Sequence, residues 1–228
     1  MNTEFTPRGR LQDELDQLQD TLLEMAGMVE ANIAAGSNAV LARDPAAADQ
    51  VRKSDRRVDE LEMEIDATVH ELLALKQPLA SDLRQIIMTN KISNDLERMG
   101  DHAVNMARAA KRLADTHPLP EIRELAEMVE VTREMVADSL AAYVSRNPGT
   151  ARLVCITDDK VDDLRSSMYR ILVSHMLEQP KLISGALELL LVSQNLERIA
   201  DLATNIAEDV VFLVEGRTIK HGTDDEQE

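Results

Sequence analysis

Eight carboxylates stand in four pairs of the same spacing: Asp55 with Asp59, Glu97 with Asp101, Asp158 with Asp162, and Glu197 with Asp201. On an α-helix four residues advance about 6 Å and turn about 40°, so each pair stacks on one face and its like charges repel. Carboxylates held that close must take up protons, attract arginine or bind cations. An all-oxygen donor set suits hard or borderline cations such as iron(III), Mg²⁺ or Zn²⁺. In a chain with 42 acidic residues, any single pair is explained as a solvated helix face. The layout of the four pairs departs from that background. Pairs 55/59 and 97/101 lie symmetrically about Pro78, and pairs 158/162 and 197/201 about the Gln179–Pro180 step. If each Gln-Pro step is a short turn between antiparallel helices, each hairpin lifts four carboxylates to one height. The helical-wheel angles put them in a shallow surface site rather than a buried cage.

Competing chemistries find less support. A ferritin-like di-iron centre wants a Glu three residues before a His. The residues in that position are Ala67, Met99, Ala114, Leu172 and Thr218, so that reading fails. His102 follows Asp101 directly and points about 100° away from it on a helix. Arg98 and Arg198 are read as neutralising neighbouring acids, Cys155 as a core thiol and the eleven Met as packing. No Gly-rich phosphate loop and no nucleophile–base motif is present, so the chain is read as a non-enzyme.

The elements that must position these acids are helices. The 228 residues are 44% hydrophobic and only 2% aromatic, with eight Gly and seven Pro. That balance favours helices over sandwiches, barrels or stacking platforms. Breakers fall at Asp44-Pro45, Gln77-Pro78, His117-Pro118-Leu119-Pro120, Asn147-Pro148-Gly149, Gln179-Pro180 and Gly216. Between them run apolar stripes of helical period, such as Val58, Leu61, Ile65, Val69 and Leu72, or Ile92, Leu96, Met99, Ala103, Met106 and Ala110. The net charge of -17 argues against nucleic acid and anionic lipid as partners, and one cysteine fits a reducing cytoplasm. The first turns carry Glu4, Arg8, Arg10, Asp13 and Glu14 without a signal-like apolar run, and no segment is long enough to insert in a membrane.

The pattern repeats. Glu24-Met25-Ala26-Gly27-Met28-Val29-Glu30 returns as Glu124-Leu125-Ala126-Glu127-Met128-Val129-Glu130, and Arg43-Asp44-Pro45 as Arg146-Asn147-Pro148. Asp55-Arg56-Arg57-Val58-Asp59 returns as Asp158-Asp159-Lys160-Val161-Asp162, Gln77-Pro78 as Gln179-Pro180, and Leu96-Glu97-Arg98 as Leu196-Glu197-Arg198. This is a tandem duplication of a three-helix unit. The expected fold is all-α, with six long helices in two pseudo-two-fold related three-helix bundles over residues 8–115 and 121–216. An acidic, disordered tail is expected over 217–228.

Leu96-Glu97-Arg98-Met99-Gly100-Asp101, its copy Leu196-Glu197-Arg198-Ile199-Ala200-Asp201, the run Ala80-Ser81-Asp82-Leu83-Arg84 and the twofold layout together resemble the phosphate-uptake regulator family, PhoU. The resemblance runs from about residue 10 to about 216. It implies a cytoplasmic negative regulator of phosphate uptake and of the phosphate-starvation response. Such a protein is an adaptor between the ATPase subunit of a phosphate ABC transporter and a phosphate-sensing histidine kinase, and is expected as a homodimer. It also implies surface metal sites at Asp55, Asp59, Glu97 and Asp101, and at Asp158, Asp162, Glu197 and Asp201, holding iron or zinc clusters or Mg²⁺. Ala200 replaces the glycine of the first copy. The alternative class is a metal-storage or metal-dependent hydrolytic bundle using the same carboxylates. Met25 and Met28 are candidates for a docking surface as well as for core.

Overall fold

The computed structural model describes residues 7–219; most of the tail expected over 217–228 lies outside the described residues. Six helices follow one another: α1 (Pro7–Ala42), α2 (Ala47–Lys76), α3 (Ala80–Ala114), α4 (Arg123–Ser145), α5 (Pro148–Glu178) and α6 (Ile183–Glu215). The duplicated Arg-Asp/Asn-Pro motif is a helix-breaking device. Arg43 and Arg146 both take left-handed backbone (φ 51° and 49°), which ends the preceding helix. Asp44 Oδ1 then accepts from the Ala46 N–H at 2.9 Å, and Asn147 Oδ1 accepts from the Gly149 N–H at 2.9 Å to cap α5, with Pro148 in its first turn. The two Gln-Pro turns differ. Gln77 is left-handed, whereas Gln179 is extended and a 3-10 turn (Pro180–Leu182) leads into α6.

Helices α1, α2 and α3 pack together, as do α4, α5 and α6, and α3 packs along α6 to join the two bundles. The order α2–α3–α6–α5 makes one layer, with α1 and α4 covering its other side. Helices α3 and α6 run antiparallel. Lys91 Nζ meets Asp209 Oδ1 at 2.8 Å near one end, His102 Nδ1 meets Asn195 Oδ1 at 2.9 Å midway, and Arg112 Nε meets Glu188 Oε1 at 2.7 Å near the other. The Arg43 guanidinium donates to the carbonyls of Leu113 and Thr116, tying the end of α1 to the end of α3.

Burial repeats with the duplication, but not in one register. In α3 and α6 the buried Ile92, Leu96, Met99 and Ala103 answer Val192, Leu196, Ile199 and Ala203. In α1 and α4 the pairs are Leu22 with Leu125, Met25 with Met128, Ile33 with Val136, Ala39 with Ala142 and Val40 with Tyr143. The match of Glu24–Glu30 to Glu124–Glu130 is therefore three residues out of structural register. Met25 is wholly buried and Met28 packs against the core, which removes Met25 as a docking residue.

Two glycines in α1 test this packing in opposite directions. A Cβ at Gly36 would stand 2.8 Å from the Ala103 carbonyl oxygen of α3, while one at Gly27 would meet nothing within 4 Å. Gly27→Ala is expected to stabilise the fold by about 0.5–1 kcal/mol through helix propensity. Gly36→Ala is expected to destabilise it by about 1–3 kcal/mol through overpacking. Urea unfolding of both variants checks the pair, and equal effects would contradict the close approach of α1 to α3.

Candidate functional site

Asp55 and Asp59 lie on α2, and Glu97 and Asp101 lie on α3, all facing the groove between these helices. Asp55 and Glu97 are half-buried, and Asp59 and Asp101 are exposed. Burial pushes the Asp55 carboxyl up to about 6, helped by the charges of Asp59 on its own helix and Asp101 across the groove and opposed by the more distant charge of Arg108. Asp59 is raised by burial and then by Asp101, and Glu97 by burial and then by Asp101, Asp59 and Glu62. Asp55, Asp59 and Glu97 are thus each raised by at least one carboxylate on the facing helix.

The second groove, between α5 and α6, repeats this with a difference. Burial pushes Asp158 up to about 6, followed by the charges of Asp201, Asp162, Asp159 and Glu197. Here the chain supplies its own cations. Arg198 Nη1 donates to Asp201 Oδ2 at 2.9 Å, and its Nε lies 3.6 Å from Glu197 Oε2. Arg165 Nη1 of α5 lies 3.9 Å from Glu197 Oε1. In the first groove Arg98 turns instead to Asp95 at 3.6 Å. Asp55, Asp59, Glu97 and Asp101 have no ion pair or hydrogen bond among the described residues.

The glycine difference between the copies has a geometric meaning. The Asp55 carboxylate sits over Gly100, where a Cβ would lie 2.7 Å from Oδ1. Ala200 carries that Cβ in the second copy, so Asp158 cannot take the same position over α6.

As donors, eight carboxylate groups suit a hard cation, and Glu197 Oε2 is buried without a hydrogen bond. They stand level rather than converged: among the described residues no three His, Cys, Asp or Glu side chains are gathered closely enough to hold a metal ion. His102 is committed to Asn195 rather than to the acids. Cys155 is half-buried, and burial followed by Glu208 and Asp158 pushes its thiol up to about 11, which suppresses the reactive thiolate. Arg165 escaped the sequence reading. It follows Asp162 by three residues on α5, and nothing tied it to Glu197 until α5 and α6 were placed side by side.

The raised carboxyls make a stability prediction with a definite sign. A folded value near 6 for Asp55 and Asp158 lies above the unfolded value of about 3.9. Between these values the folded chain binds more protons, so this contribution to stability falls as pH rises and is at its worst at neutral pH. Asp55→Asn with Asp158→Asn should therefore melt above the parent chain at pH 7.5 in chelator, with the gap narrowing towards pH 5. Calorimetry at the two pH values checks this, and a lower melting point at pH 7.5 would contradict the repulsion.

The same twofold outline is found in known proteins. The family model described as the PhoU domain matches this chain twice, at residues 22–110 and 125–210. The two segments begin 103 residues apart and end 100 apart, the same change of register that burial shows. The phosphate-specific transport system accessory protein PhoU homolog of Clostridium acetobutylicum is 37% identical over 209 residues, covering 91% of this chain and 95% of that protein. The homolog of the same description from Zymomonas mobilis is 36% identical over 214 residues, covering 92% and 89%. The crystal structure of PhoU from Pseudomonas aeruginosa superposes with a TM-score of 0.87 at 36% identity, over 90% of this chain and 99% of that one. That of the phosphate transport system regulatory protein PhoU from Streptococcus pneumoniae gives 0.85 at 28% identity, over 92% and 99%.

Proposed function

Since the chain belongs to the PhoU family, we propose that it is an accessory protein of phosphate transport that represses the phosphate-starvation response when phosphate is plentiful. Its partners in this reading are the ATPase subunit of a phosphate ABC transporter and the cytoplasmic part of a sensor histidine kinase. The observation that carries it is the doubled acidic groove, built at matched heights on both hairpins of a chain that the PhoU domain matches in both halves. An adaptor of this kind shifts a partner's equilibrium only by its difference in affinity for the partner's two states. Long, rigid helical faces supply such a difference without any chemical step.

In this reading Asp55, Asp59, Glu97 and Asp101 would converge from their level positions on one cation centre, and Asp158, Asp162, Glu197 and Asp201 on a second. A bound iron, zinc or magnesium ion would supply charge neutralisation and rigidity across each groove. The residues of the chain do the remaining work: Asp55 and Glu97 present half-buried oxygens, and Asp59 and Asp101 present exposed ones. The first groove is the better prepared, because the second already draws on Arg165 and Arg198.

No described helix is long and apolar enough to cross a membrane, and a net charge of -17 opposes contact with anionic lipid. Recruitment to a transporter then rests on protein contacts. The purified chain should co-purify with the transporter's ATPase subunit and with the kinase's cytoplasmic part, and should not sediment with protein-free anionic vesicles. Capture by the vesicles alone, or by neither protein, would contradict the adaptor reading.

A further inference from the structure

The α5–α6 groove continues past its acidic motif into a cavity of about 510 Å³ lined by Arg165, Ser166, Tyr169 and Arg170 of α5 and by Leu190, Leu191 and Gln194 of α6. The duplication makes its character plain. At the matching places in the first unit, the α2–α3 groove has Glu62 for Arg165, Asp66 for Tyr169, Ala67 for Arg170, Asn90 for Leu190 and Asn94 for Gln194. Lys91 stands for Leu191, and its ammonium is drawn across to Asp209 of α6. The wall of α2 is thus acidic where the wall of α5 is basic. At this end the α5–α6 groove has reversed its charge and exchanged Asp66, Asn90 and Lys91 for Tyr169, Leu190 and Leu191, while the exposed Leu83 and Ile87 of α3 match Ile183 and Leu187 and Met63 stands for Ser166.

Arg165 also faces Glu197 at 3.9 Å, but stability does not account for the rest of that reversal. Tyr169 is 59% exposed and Leu191 47% exposed, and Arg170 has no ion pair or hydrogen bond among the described residues. Towards the Pro180 turn, Ile183 and Leu187 extend the exposed stripe from Leu191 at four-residue spacing. Ile183, Leu187 and Leu191 therefore form an apolar stripe of about 12 Å that winds about 80° round α6, with the two guanidiniums beside its Leu191 end on the facing wall of α5. An apolar rail beside arginines is the complement of a helix that has apolar anchors at i and i+4 and carboxylates on one flank. Arginine suits such carboxylates because its planar fork binds them with two parallel hydrogen bonds.

We propose that this end of the α5–α6 groove is the docking slot for an acidic amphipathic helix of a partner protein, and that the α2–α3 groove rejects the same helix by charge. The proposal deepens the accessory reading, on which the existence of a physiological partner rests, by assigning one class of contact to the second unit. Its test uses purified chain and a synthetic probe, so it can fail without touching the regulatory reading.

The probe is a fluorescent helical peptide of about 18 residues, with Leu at four-residue spacing flanked by Glu, alongside versions carrying Gln or Lys in place of Glu. Anisotropy at about 0.15 M salt limits long-range charge effects. The Glu peptide is expected to bind and the Lys peptide to bind at least about tenfold more weakly, against the preference that the overall charge would give. Arg165→Glu with Arg170→Glu should weaken the Glu peptide about tenfold, and Arg170→Glu alone, which leaves Arg165 on Glu197, and separately Leu191→Gln should each weaken it while leaving melting temperature and helicity unchanged. Glu62→Arg with Asp66→Arg should not weaken it. No binding of the Glu peptide, preference for the Lys peptide, or equal binding by the Arg165/Arg170 variant would overturn the proposal.

Discussion

If the two grooves hold cations as proposed, added cation should raise the melting temperature of the parent chain, and replacing Asp59, Glu97, Asp162 and Glu197 by their amides should abolish that rise. In the first groove, cross-helix repulsion among Asp55, Asp59, Glu97 and Asp101 is answered by no ion pair among the described residues. In the proposed reading a divalent or trivalent cation would relieve that repulsion and bind only the folded arrangement, because the two helices are level only there. A ligand at about 100 times its dissociation constant stabilises by about 2.7 kcal/mol, which for a chain of this size is a rise of roughly 5–10 °C. The amide variant should begin from a higher melting temperature in chelator, since repulsion is gone, and gain nothing from Mg²⁺ or iron. Single-groove variants separate the copies. Asp59→Asn with Glu97→Gln should remove most of the gain, because Arg165 and Arg198 already offset charge in the second groove. Metal analysis of the purified protein should follow the same order. An amide variant that still melts higher with cation would contradict the assignment of these residues.

Much of this was legible in the sequence, and the reasons differ by element. The Gln-Pro turns and the symmetry of the acidic pairs about them predicted which carboxylates would be level, because antiparallel helices joined by a short turn leave little freedom. In the structure Asp55 and Asp59 both feel Asp101, and Glu97 feels both Asp59 and Asp55, so the four acids of the two helices lie along one groove, with level and diagonal neighbours alike. The Arg-Asp/Asn-Pro repeat was equally readable, since a left-handed residue, a capping oxygen and a first-turn proline act locally.

The register of α1 against α4 was not. Matching Glu24–Glu30 to Glu124–Glu130 differs from the buried alignment by three residues, close to one helical turn. Such a shift keeps nearly the same residues on the buried face, so sequence identity cannot choose between the two. Tertiary constraint chooses: Arg43 must reach the carbonyls at the end of α3, and Gly36 must meet the Ala103 carbonyl. The inequality of the two sites was hidden for a related reason. Arg165 belongs to no acidic motif, and its bearing on Glu197 emerges only where α5 lies beside α6. The 3-10 turn at Pro180–Leu182, and the shift it brings between the units, likewise depends on packing rather than on the shared Gln-Pro step.

The reading of the chain as a repressing accessory protein is most directly tested by a reporter of a phosphate-starvation promoter in its own host. In that reading, removing the gene would take away the differential affinity that holds the kinase in its repressing state, so the effect should be large rather than graded. At high phosphate the deletion strain should express the reporter as strongly as starved cells do, and the wild-type gene supplied in trans should restore silence. The measurement is reporter activity at high phosphate in parent, deletion and complemented strains. A deletion strain without a second copy of the gene that keeps the reporter silent at high phosphate would contradict the account.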